Sequence, residues 1–442
     1  MRPERHPGEA ERTAPRMLFW RNYLAHSIEG GLYMGGTAFL AAESVGPVML
    51  RSLGAPDAVI AFAPIAVLFG VGLAPLMTAR RVERLHHFKP FVMSFGIFQR
   101  LAFLPAAFAL FFLAASHPVL TWALVAGAPL VSGLLCGVHV VAWMELVARV
   151  IPSHRRASAA AIRLFVGTVV GLAAGPVIRR VLDAHPGPAG YGILHLLLFL
   201  FLAGSYAVFA AVREPPVPRL RLDPSRAETR VGRFDALRGD RRLRLVAAGR
   251  VLTCGIYILL PFLSIHALQR TGRPDSFVGA LVTAQMLGAL AGNVAGGWMG
   301  DRFGGRRPML LGRATLALAC AASALAATPL QFQAIYAALG AGLHLNAVGD
   351  SALTFEVASA ERRRPFFTAL TFLGAPAMVG AVAISAGLRR LGPAIWPAAA
   401  LGAAALAAAW FVTRRIVDPR REHEFLRVAP AAHPAATARR AG

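Results

Sequence analysis

Five acidic side chains stand inside long apolar stretches of the sequence, where a charge is costly. They are Glu29, Glu43, Glu145, Asp350 and Glu356. An ionisable group inside a membrane-spanning helix is tolerated when it is paired or binds something, so such groups are candidate functional residues. A carboxylate also suits a proton, because its pKa follows its surroundings. These residue types indicate reversible binding of a proton or a small solute.

Other polar side chains occur in the same stretches. Arg100 and Arg163 need acidic or carbonyl partners, for which Glu29 and Glu145 are the candidates. Glu145 and Glu356 lie near predicted helix ends, where the alternative is that they reach the membrane surface or pair there. The remaining candidates for contact with an ion or solute are His139, Tyr257, His344 and Asn346.

Helical spacing limits which of these side chains share a face. Asn346 and Asp350 are four residues apart and so point the same way. His344 and Asp350, like His139 and Glu145, are six residues apart, which separates them by roughly 120° around a helix. Only one member of each of these two pairs can therefore face a central cavity squarely.

The elements that carry these groups are predicted to be membrane helices. Of 442 residues, 56% are hydrophobic and only 15% are charged, too little charge to cover a soluble protein of this size. Apolar stretches long enough to cross a bilayer recur, and the alternation typical of β-barrel strands is nearly absent. The sequence predicts twelve transmembrane helices at 22–48, 58–79, 90–114, 118–148, 158–181, 190–212, 246–268, 276–299, 308–328, 331–358, 366–388 and 393–413.

These twelve helices are expected to form an all-α membrane protein of two six-helix bundles related by pseudo-two-fold symmetry. A basic, proline-containing stretch divides them six and six, and basic residues concentrate on one set of loops and both tails, which places both termini in the cytoplasm. The predicted organisation is a cytoplasmic tail 1–21, an N-terminal bundle 22–212, a cytoplasmic linker 213–245, a C-terminal bundle 246–413, and a cytoplasmic tail 414–442 without fixed structure.

Several functional classes are disfavoured. The net charge of +24 does not predict nucleic-acid binding, because the arginine clusters lie beside helix ends without interleaved aromatic residues. The three cysteines lack metal-binding or disulfide spacing, and no nucleotide-binding or hydrolase motif occurs in a suitable place. We therefore expect neither an enzyme nor a metal or cofactor. An alanine- and arginine-rich chain with the single lysine Lys89 favours a bacterial source and an inner-membrane location.

The two halves carry matching residues. The first set lies after the second predicted helix of each half and repeats at an interval of 218 residues, and the second set lies in the fourth helix and repeats at 205. Parallel duplication of this kind is a known transporter design. The pairs are Glu83-Arg84 with Asp301-Arg302, Lys89-Pro90 with Arg307-Pro308, Gly70 with Gly288, and Gly137, His139 and Glu145 with Gly342, His344 and Asp350.

The segment 296–308, Gly-Gly-Trp-Met-Gly-Asp-Arg-Phe-Gly-Gly-Arg-Arg-Pro, resembles the G-x-x-x-D-[RK]-x-G-R-[RK] loop of the major facilitator superfamily. The extra Gly305 shifts the final basic pair by one position, and in the first half only the acid and basic residues Glu83, Arg84 and Lys89 remain. The residues that match in the second half are Gly297, Asp301, Arg302, Gly304, Arg306 and Arg307.

This resemblance implies a twelve-helix transporter whose central cavity is lined by helices 1, 4, 7 and 10. All five membrane acids lie on helices 1, 4 and 10, and Tyr257 lies on helix 7. By the family's symmetry, Asp301 would face the start of helix 5 near Arg155 and Arg156, and Glu83 would face the start of helix 11 near Arg362. These contacts would close the cytoplasmic side and break when the halves rock.

Helix 5 contains Gly167, Gly171 and Gly175, followed by Pro176. Small residues at intervals of four allow helices to approach closely. The Gly-x-x-x-Gly-Pro element resembles part of a motif of drug/proton antiporters, but Arg179 and Arg180 stand where that motif has glycines. Helix packing is therefore favoured over antiport.

The predicted function is secondary active transport of a small solute by alternating access, coupled to protons, with export of drugs or metabolites as one form of it. Asp350 and then Glu29 are the leading candidates for proton coupling, with His344 and His139 modulating them. The expected partners are the solute, protons and the bilayer, with the protein acting as a monomer. The alternative is a non-transporting protein of the same fold that serves as a membrane sensor or assembly partner.

Overall fold

The structure, a computed structural model, describes residues 7–74, 82, 85–215, 235–358 and 360–417. These residues are helical almost throughout, and no strand occurs among them. Eight helical segments in this described part are long and apolar enough to cross a membrane. They are Phe88–Phe112, Pro118–Val150, Ser158–Ala184, Pro188–Ala210, Arg241–Thr271, Asp275–Phe303, Ala369–Leu391 and Trp396–Arg414.

The other four predicted membrane segments are also helical. The first begins at Pro7, inside the predicted N-terminal tail, and the second is a short apolar helix, Asp57–Leu73. The ninth and tenth are Arg306–Ser323 and Pro329–Val357. We number the twelve segments as spans 1 to 12 in chain order. The N-terminal part of span 1 near Arg21 and the end of span 6 near Arg213 lie together, and so do the start of span 7 near Leu243 and the end of span 12 near Ile416. The side of the protein with these span ends is called here the terminal side, and the opposite side is the far side.

Spans 1 and 7 are interrupted at matching places. Span 1 runs Pro7–Gly36, narrows to the 3₁₀ turn Thr37–Leu40, and resumes as Val45–Ser52. Span 7 runs Arg241–Thr253, Cys254–Ile258 as a 3₁₀ helix, and Leu260–Thr271. Proline stands in the first turn of each resumed helix (Pro47 and Pro261), where its missing N–H has no helical partner to lose. The interruption is thus part of the repeat.

Close glycine contacts hold equivalent pairs of spans together in the two halves. A Cβ at Gly70 on span 2 would lie 2.5 Å from the backbone nitrogen of Leu134 on span 4. A Cβ at Gly288 on span 8 would lie 1.8 Å from the carbonyl oxygen of Ala337 on span 10. Glycine alone permits this approach, so the repeat seen in the sequence corresponds to a repeated packing site.

The two halves share one hydrophobic core on the far side and have separate cores on the terminal side. The shared core contains residues of both halves, among them Ile178 and Leu182 with Val278 and Leu281. The two terminal-side clusters of buried residues contain only residues 23–212 and only residues 243–416, respectively. Across its described residues, the protein is therefore closed on the far side and divided on the terminal side.

Candidate functional site

A cavity of about 120 Å³ lies within the first bundle and is lined by residues of spans 1, 3, 4, 5 and 6. Its charged and ionisable lining combines one carboxylate with two guanidinium groups and an imidazole. Those four side chains are Glu29, Arg100, Arg163 and His139. Such a concentration of polar groups inside a membrane bundle marks the cavity as the leading candidate site.

Glu29 is the centre of the cluster. It is only 5% exposed, and its Oε2 lies 2.9 Å from Nη1 of Arg163 on span 5. Its Oε1 lies 3.9 Å from Nη2 of Arg100 on span 3 and accepts a long hydrogen bond, 3.4 Å, from the hydroxyl of Ser205 on span 6. One carboxylate therefore faces two guanidinium groups.

Arg100 is held by backbone carbonyls. Its Nε donates to the carbonyl of Leu202 at 2.9 Å and its Nη1 to that of Gly96 at 2.7 Å. The guanidinium lies between the rings of Tyr33 and Tyr206, at 5.8 and 5.1 Å from their centroids. Most of its donors are used, so Arg100 ties span 3 to span 6 and contributes charge to the cavity.

Arg163 is less constrained. Its guanidinium lies 5.0 Å from the centroid of the Trp143 ring and overlaps the space that a Cβ at position 30 would fill, which explains why Gly30 follows Glu29 on span 1. Among the described residues, its hydrogen bond to Glu29 is the one it makes. Its Nε and Nη2 groups therefore have no protein acceptor within that part of the chain, and Arg163 lines the cavity.

Neutral polar groups complete the lining. The Gln99 amide donates to the Tyr33 hydroxyl at 2.7 Å, and the Cys136 thiol lines the cavity near the Gln99 side chain. Nδ1 of His139 lies 2.8 Å from the carbonyl oxygen of Leu135, an acceptor. Nδ1 therefore acts as the donor, and Nε2 is the acceptor nitrogen of the neutral His139 ring.

A second polar cluster lies in the other half. Asp350 on span 10 pairs with Arg250 on span 7, with 3.5 Å between Oδ2 and Nη1. Arg313 on span 9, only 1% exposed, donates from Nε to the Asn346 amide oxygen at 3.1 Å, and from Nη1 to the hydroxyl of Thr413 and the carbonyl of Ala409. Sequence reasoning found the acid and the amide but missed both arginines.

Those arginines were visible in the sequence. Arg250 and Arg313 fall inside the predicted segments 246–268 and 308–328, and the same cost argument that singled out Arg100 applies to them. The buried Nη2 of Arg313 and Oδ1 of Asp350 have no partner among the described residues. The second cluster thus also contains two guanidinium groups for one carboxylate.

Glu43 and Tyr257 belong to the junction between the halves. The Glu43 carboxylate, in the interruption of span 1, lies near the Gln285 side chain of span 8. The backbone carbonyl of Glu43 accepts from the Tyr336 hydroxyl of span 10 at 3.2 Å, and Tyr257 on span 7 lies within electrostatic range of the carboxylate. These residues lie where the closed far-side contact begins.

The structure separates some residues that the sequence grouped. Arg100 and Arg163 take Glu29 as their acidic partner, whereas Glu145, the other candidate, is exposed. Nδ1 of His344 lies 3.1 Å from the Asn293 amide oxygen and is not part of the Asp350 pair. The membrane acids therefore occupy separate clusters instead of one continuous path.

Several residues of the loop between spans 8 and 9 contact residues of the same half. Gly304, with φ of 79°, ends span 8, whose last turn includes Asp301 and Arg302. Gly297, one turn earlier, has open space beside its Cα. The Glu356 carboxylate accepts from the Gly305 N–H and so caps span 9. Arg306 donates to the terminal carbonyl of Arg414 on span 12 at 2.6 Å, and Arg307 stacks on Phe303, 4.3 Å from its centroid.

The first half has a counterpart of this arrangement. Lys89 donates from Nζ to the carbonyl of Ala210 at the end of span 6, at 2.8 Å. Glu214 accepts from the N–H groups of Phe88 and Lys89 at 2.9 Å and pairs with Arg149 at 3.1 Å. Glu83, the predicted partner of helix 11, and Arg84 lie outside the described residues.

The glycines of span 5 pack against two different helices. Gly167 lies against Met34 of span 1, within the first half. Gly171 lies against Met286, and a Cβ at Gly175 would lie 2.0 Å from the Thr283 hydroxyl, both on span 8 of the other half. Span 5 thus leaves span 1 and meets span 8 as it approaches the far side, and Pro176 lies inside the helix at that end.

Comparisons with known proteins agree with this architecture. Residues 245–441 match the family model of the Major Facilitator Superfamily, and the comparison with curated sequences gave no match. Among solved structures, the chain is similar to a nucleoside transporter (TM-score 0.66, 14% identity, 89% of this chain and 99% of that one). It is also similar to a D-xylose–proton symporter (0.67, 12%, 91% and 98%) and to an inward-facing bacterial homologue of the iron transporter ferroportin (0.62, 15%, 90% and 98%).

At these identities the solved structures show the fold alone, over 89–91% of this chain, whereas the family match covers residues 245–441. The multi-pass helices, the repeated halves and the matched segment agree with one another. Residues 245–441 thus match the model of the Major Facilitator Superfamily, and the fold of the chain is similar to that of the solved transporters named above.

Proposed function

We propose that the protein is a secondary active transporter that moves a small solute by alternating access in exchange with, or together with, protons. The observation that carries this proposal is the buried Glu29–Arg163 ion pair beside a cavity inside a membrane bundle. A carboxylate held in this way costs free energy to bury, and that cost is explained if its protonation is coupled to solute binding.

The division of the hydrophobic core supports alternating access. Because the halves share a core on the far side and have separate cores on the terminal side, rocking about the shared core would open one side as it closes the other. We propose that the terminal side is cytoplasmic, which is supported by its basic loops. The structure then corresponds to an inward-facing state of a monomer in a bacterial inner membrane.

Protonation supplies the coupling in this scheme. With Glu29 ionised, Arg163 is bound to span 1; with Glu29 neutral, that attraction weakens and the Arg163 donors become available to a solute. Asp350 and Arg250 offer an equivalent switch in the second half. The two acids favoured by the sequence thus remain the proposed coupling residues, with Glu29 now the better positioned of the two.

Asp301 is proposed to act when the terminal side closes. In the inward-facing state Arg156, its expected neighbour, donates to the carbonyls of Ala148 and Ile151 at the end of span 4. Closing would bring the acid at the end of span 8 towards the N-terminus of span 5, where a negative charge is favoured. This contact would stabilise the outward-facing state.

Flux measurements test transport against the alternative of a non-transporting sensor. Purified protein in right-side-out and inside-out proteoliposomes, given an imposed pH gradient and a small-metabolite extract, should accumulate or release at least one compound, which mass spectrometry identifies. Folded protein that moves no compound in either orientation would support the sensor and exclude transport.

A further inference from the structure

The charge of the first-bundle cavity is unbalanced. Within the described part of the chain, Glu29 is the one carboxylate that lines it, whereas Arg100 and Arg163 both contribute a guanidinium group. An uncompensated positive charge at this depth is costly, since neither lipid nor apolar side chains solvate it. A second anion would therefore compensate the excess positive charge of the cavity.

The free donors are arranged to bind such an anion. Arg163 uses Nη1 for Glu29, which leaves the edge formed by Nε and Nη2. This edge of a guanidinium donates two parallel hydrogen bonds to a carboxylate or phosphate. Arg100, fixed by the Leu202 and Gly96 carbonyls, cannot turn away and adds its charge from the opposite side of Glu29.

The rest of the lining fits an oxyanion attached to an organic body. The volume of about 120 Å³ holds several water molecules' worth of material, enough for an acidic group and a few carbon atoms. Trp143 and Tyr206 supply flat apolar surface, and Tyr33 and Gln99 supply neutral polar groups. Glu29 is the element that repels an anion, and its neutralisation by a proton removes that repulsion.

We infer that this cavity is a binding subsite for the carboxylate or phosphate group of a small organic anion, with Arg163 as the residue that contacts it and Arg100 as a positioning residue. The inference rests on the proposed transport function for its biological meaning, because it names the substrate class of the same site. It also predicts the sense of coupling: the proton on Glu29 and the anion bind together.

Cys136 provides a reporter, since it lines the cavity beside Gln99. The experiment uses full-length protein carrying Cys254→Ala, in which the remaining Cys320 is buried, and follows alkylation of Cys136 by N-ethylmaleimide with mass spectrometry. Succinate, benzoate and inorganic phosphate are the anionic probes. Glucose and tetraethylammonium are the neutral and cationic ones, and all are compared at equal ionic strength.

At least one of the anionic probes should slow alkylation. Arg163→Gln should weaken that protection by about 10- to 100-fold, as expected for loss of a charge-assisted contact, and Arg163→Lys should recover part of it. Glu29→Gln should strengthen protection several-fold. Arg180→Gln, which removes an exposed charge from the same helix, is the matched control and should change nothing.

The inference is overturned if no anionic probe protects, if glucose or tetraethylammonium protects equally well, or if protection survives in Arg163→Gln. Glu29→Gln guards against misfolding as an explanation, since a gain of affinity requires a folded site. Anion binding without any flux would contradict the proposed function and leave this inference standing. Flux of neutral or cationic solutes alone would support the proposed function and contradict this inference.

Discussion

Arg163 and Glu29 form an ion pair of 2.9 Å between spans 5 and 1, beside a cavity that no other carboxylate of the described residues lines. The partners are 134 positions apart in the sequence. Removing one partner of a buried pair leaves the other charge without compensation, at a cost of about 3–5 kcal/mol. Burying such a pair costs free energy that structure alone does not require, and this cost is the reason for linking the pair to function.

Asp350→Asn should abolish gradient-driven flux. The change removes the charge that faces Arg250 at 3.5 Å and leaves two guanidinium groups in the second bundle without a carboxylate. The measurement is uptake or release in proteoliposomes under an imposed pH gradient. Asp183→Asn serves as control, because that carboxylate is half exposed and makes only a weak pair with Arg179. Full activity in Asp350→Asn would remove this acid from the mechanism.

Glu214→Gln should lower stability without touching the cavity. Its carboxylate accepts from the first N–H groups of span 3 and pairs with Arg149, and its side chain is 5% exposed. Loss of these charge-assisted bonds should reduce the free energy of unfolding by about 1–3 kcal/mol. Thermal unfolding in detergent measures this. Glu145→Gln, at an exposed position, should shift the midpoint little, and equal shifts in both variants would contradict the argument.

Gly288→Ala should impair folding of the second half. The added Cβ would lie 1.8 Å from the Ala337 carbonyl oxygen, which forces spans 8 and 10 apart, at an expected cost of about 1–3 kcal/mol or more. The yield of monodisperse protein and its thermal midpoint report the effect. Gly297→Ala on the same span meets nothing within 4 Å and should be neutral or slightly stabilising. A well-folded Gly288→Ala protein would show that the contact is not required.

Gly175→Val should shift the protein away from the state in which the two halves share a core on the far side. Spans 5 and 8 cross on the far side, where Gly175 packs against Thr283 and Gly279. A valine side chain does not fit at this crossing. Spin labels on cysteines introduced at the exposed Arg180 and Arg273 should report a longer distance in the variant. Gly380→Val, at an exposed glycine of span 11 with open space around it, is the control. An unchanged distance distribution would mean that this crossing does not set the equilibrium.

Much of the fold was predictable because hydrophobic length and duplication are local properties of a sequence. The structure repeats the packing of Gly70 at Gly288 and ends a helix just after Asp301, although span 1 begins at Pro7, within the predicted tail. The interruptions of spans 1 and 7 were not predicted, since apolar residues continue through them and only Pro47 and Pro261 mark the resumed helices.

The sequence predicted which charged residues belong to the site better than it predicted which of them form ion pairs. The free-energy cost of burying a charge singles out Glu29, Arg100, Arg163 and Asp350 in the sequence. The same cost applies to Arg313, which also lies inside a predicted membrane helix and is 1% exposed. Which guanidinium meets which carboxylate depends on helix rotation and on space left by glycines such as Gly30, and these follow from tertiary packing. Residue spacing within one helix carries no information about them.

The most direct test of the account is solute-driven proton movement. Proteoliposomes loaded with a pH-sensitive dye are exposed to a small-metabolite extract and then to its separated fractions, with wild-type protein and with Glu29→Gln. The account predicts that an active fraction moves protons in the wild type, and that Glu29→Gln exchanges the same solute without moving protons. Proton movement that persists unchanged in Glu29→Gln, or folded wild-type protein that no fraction activates, would contradict it.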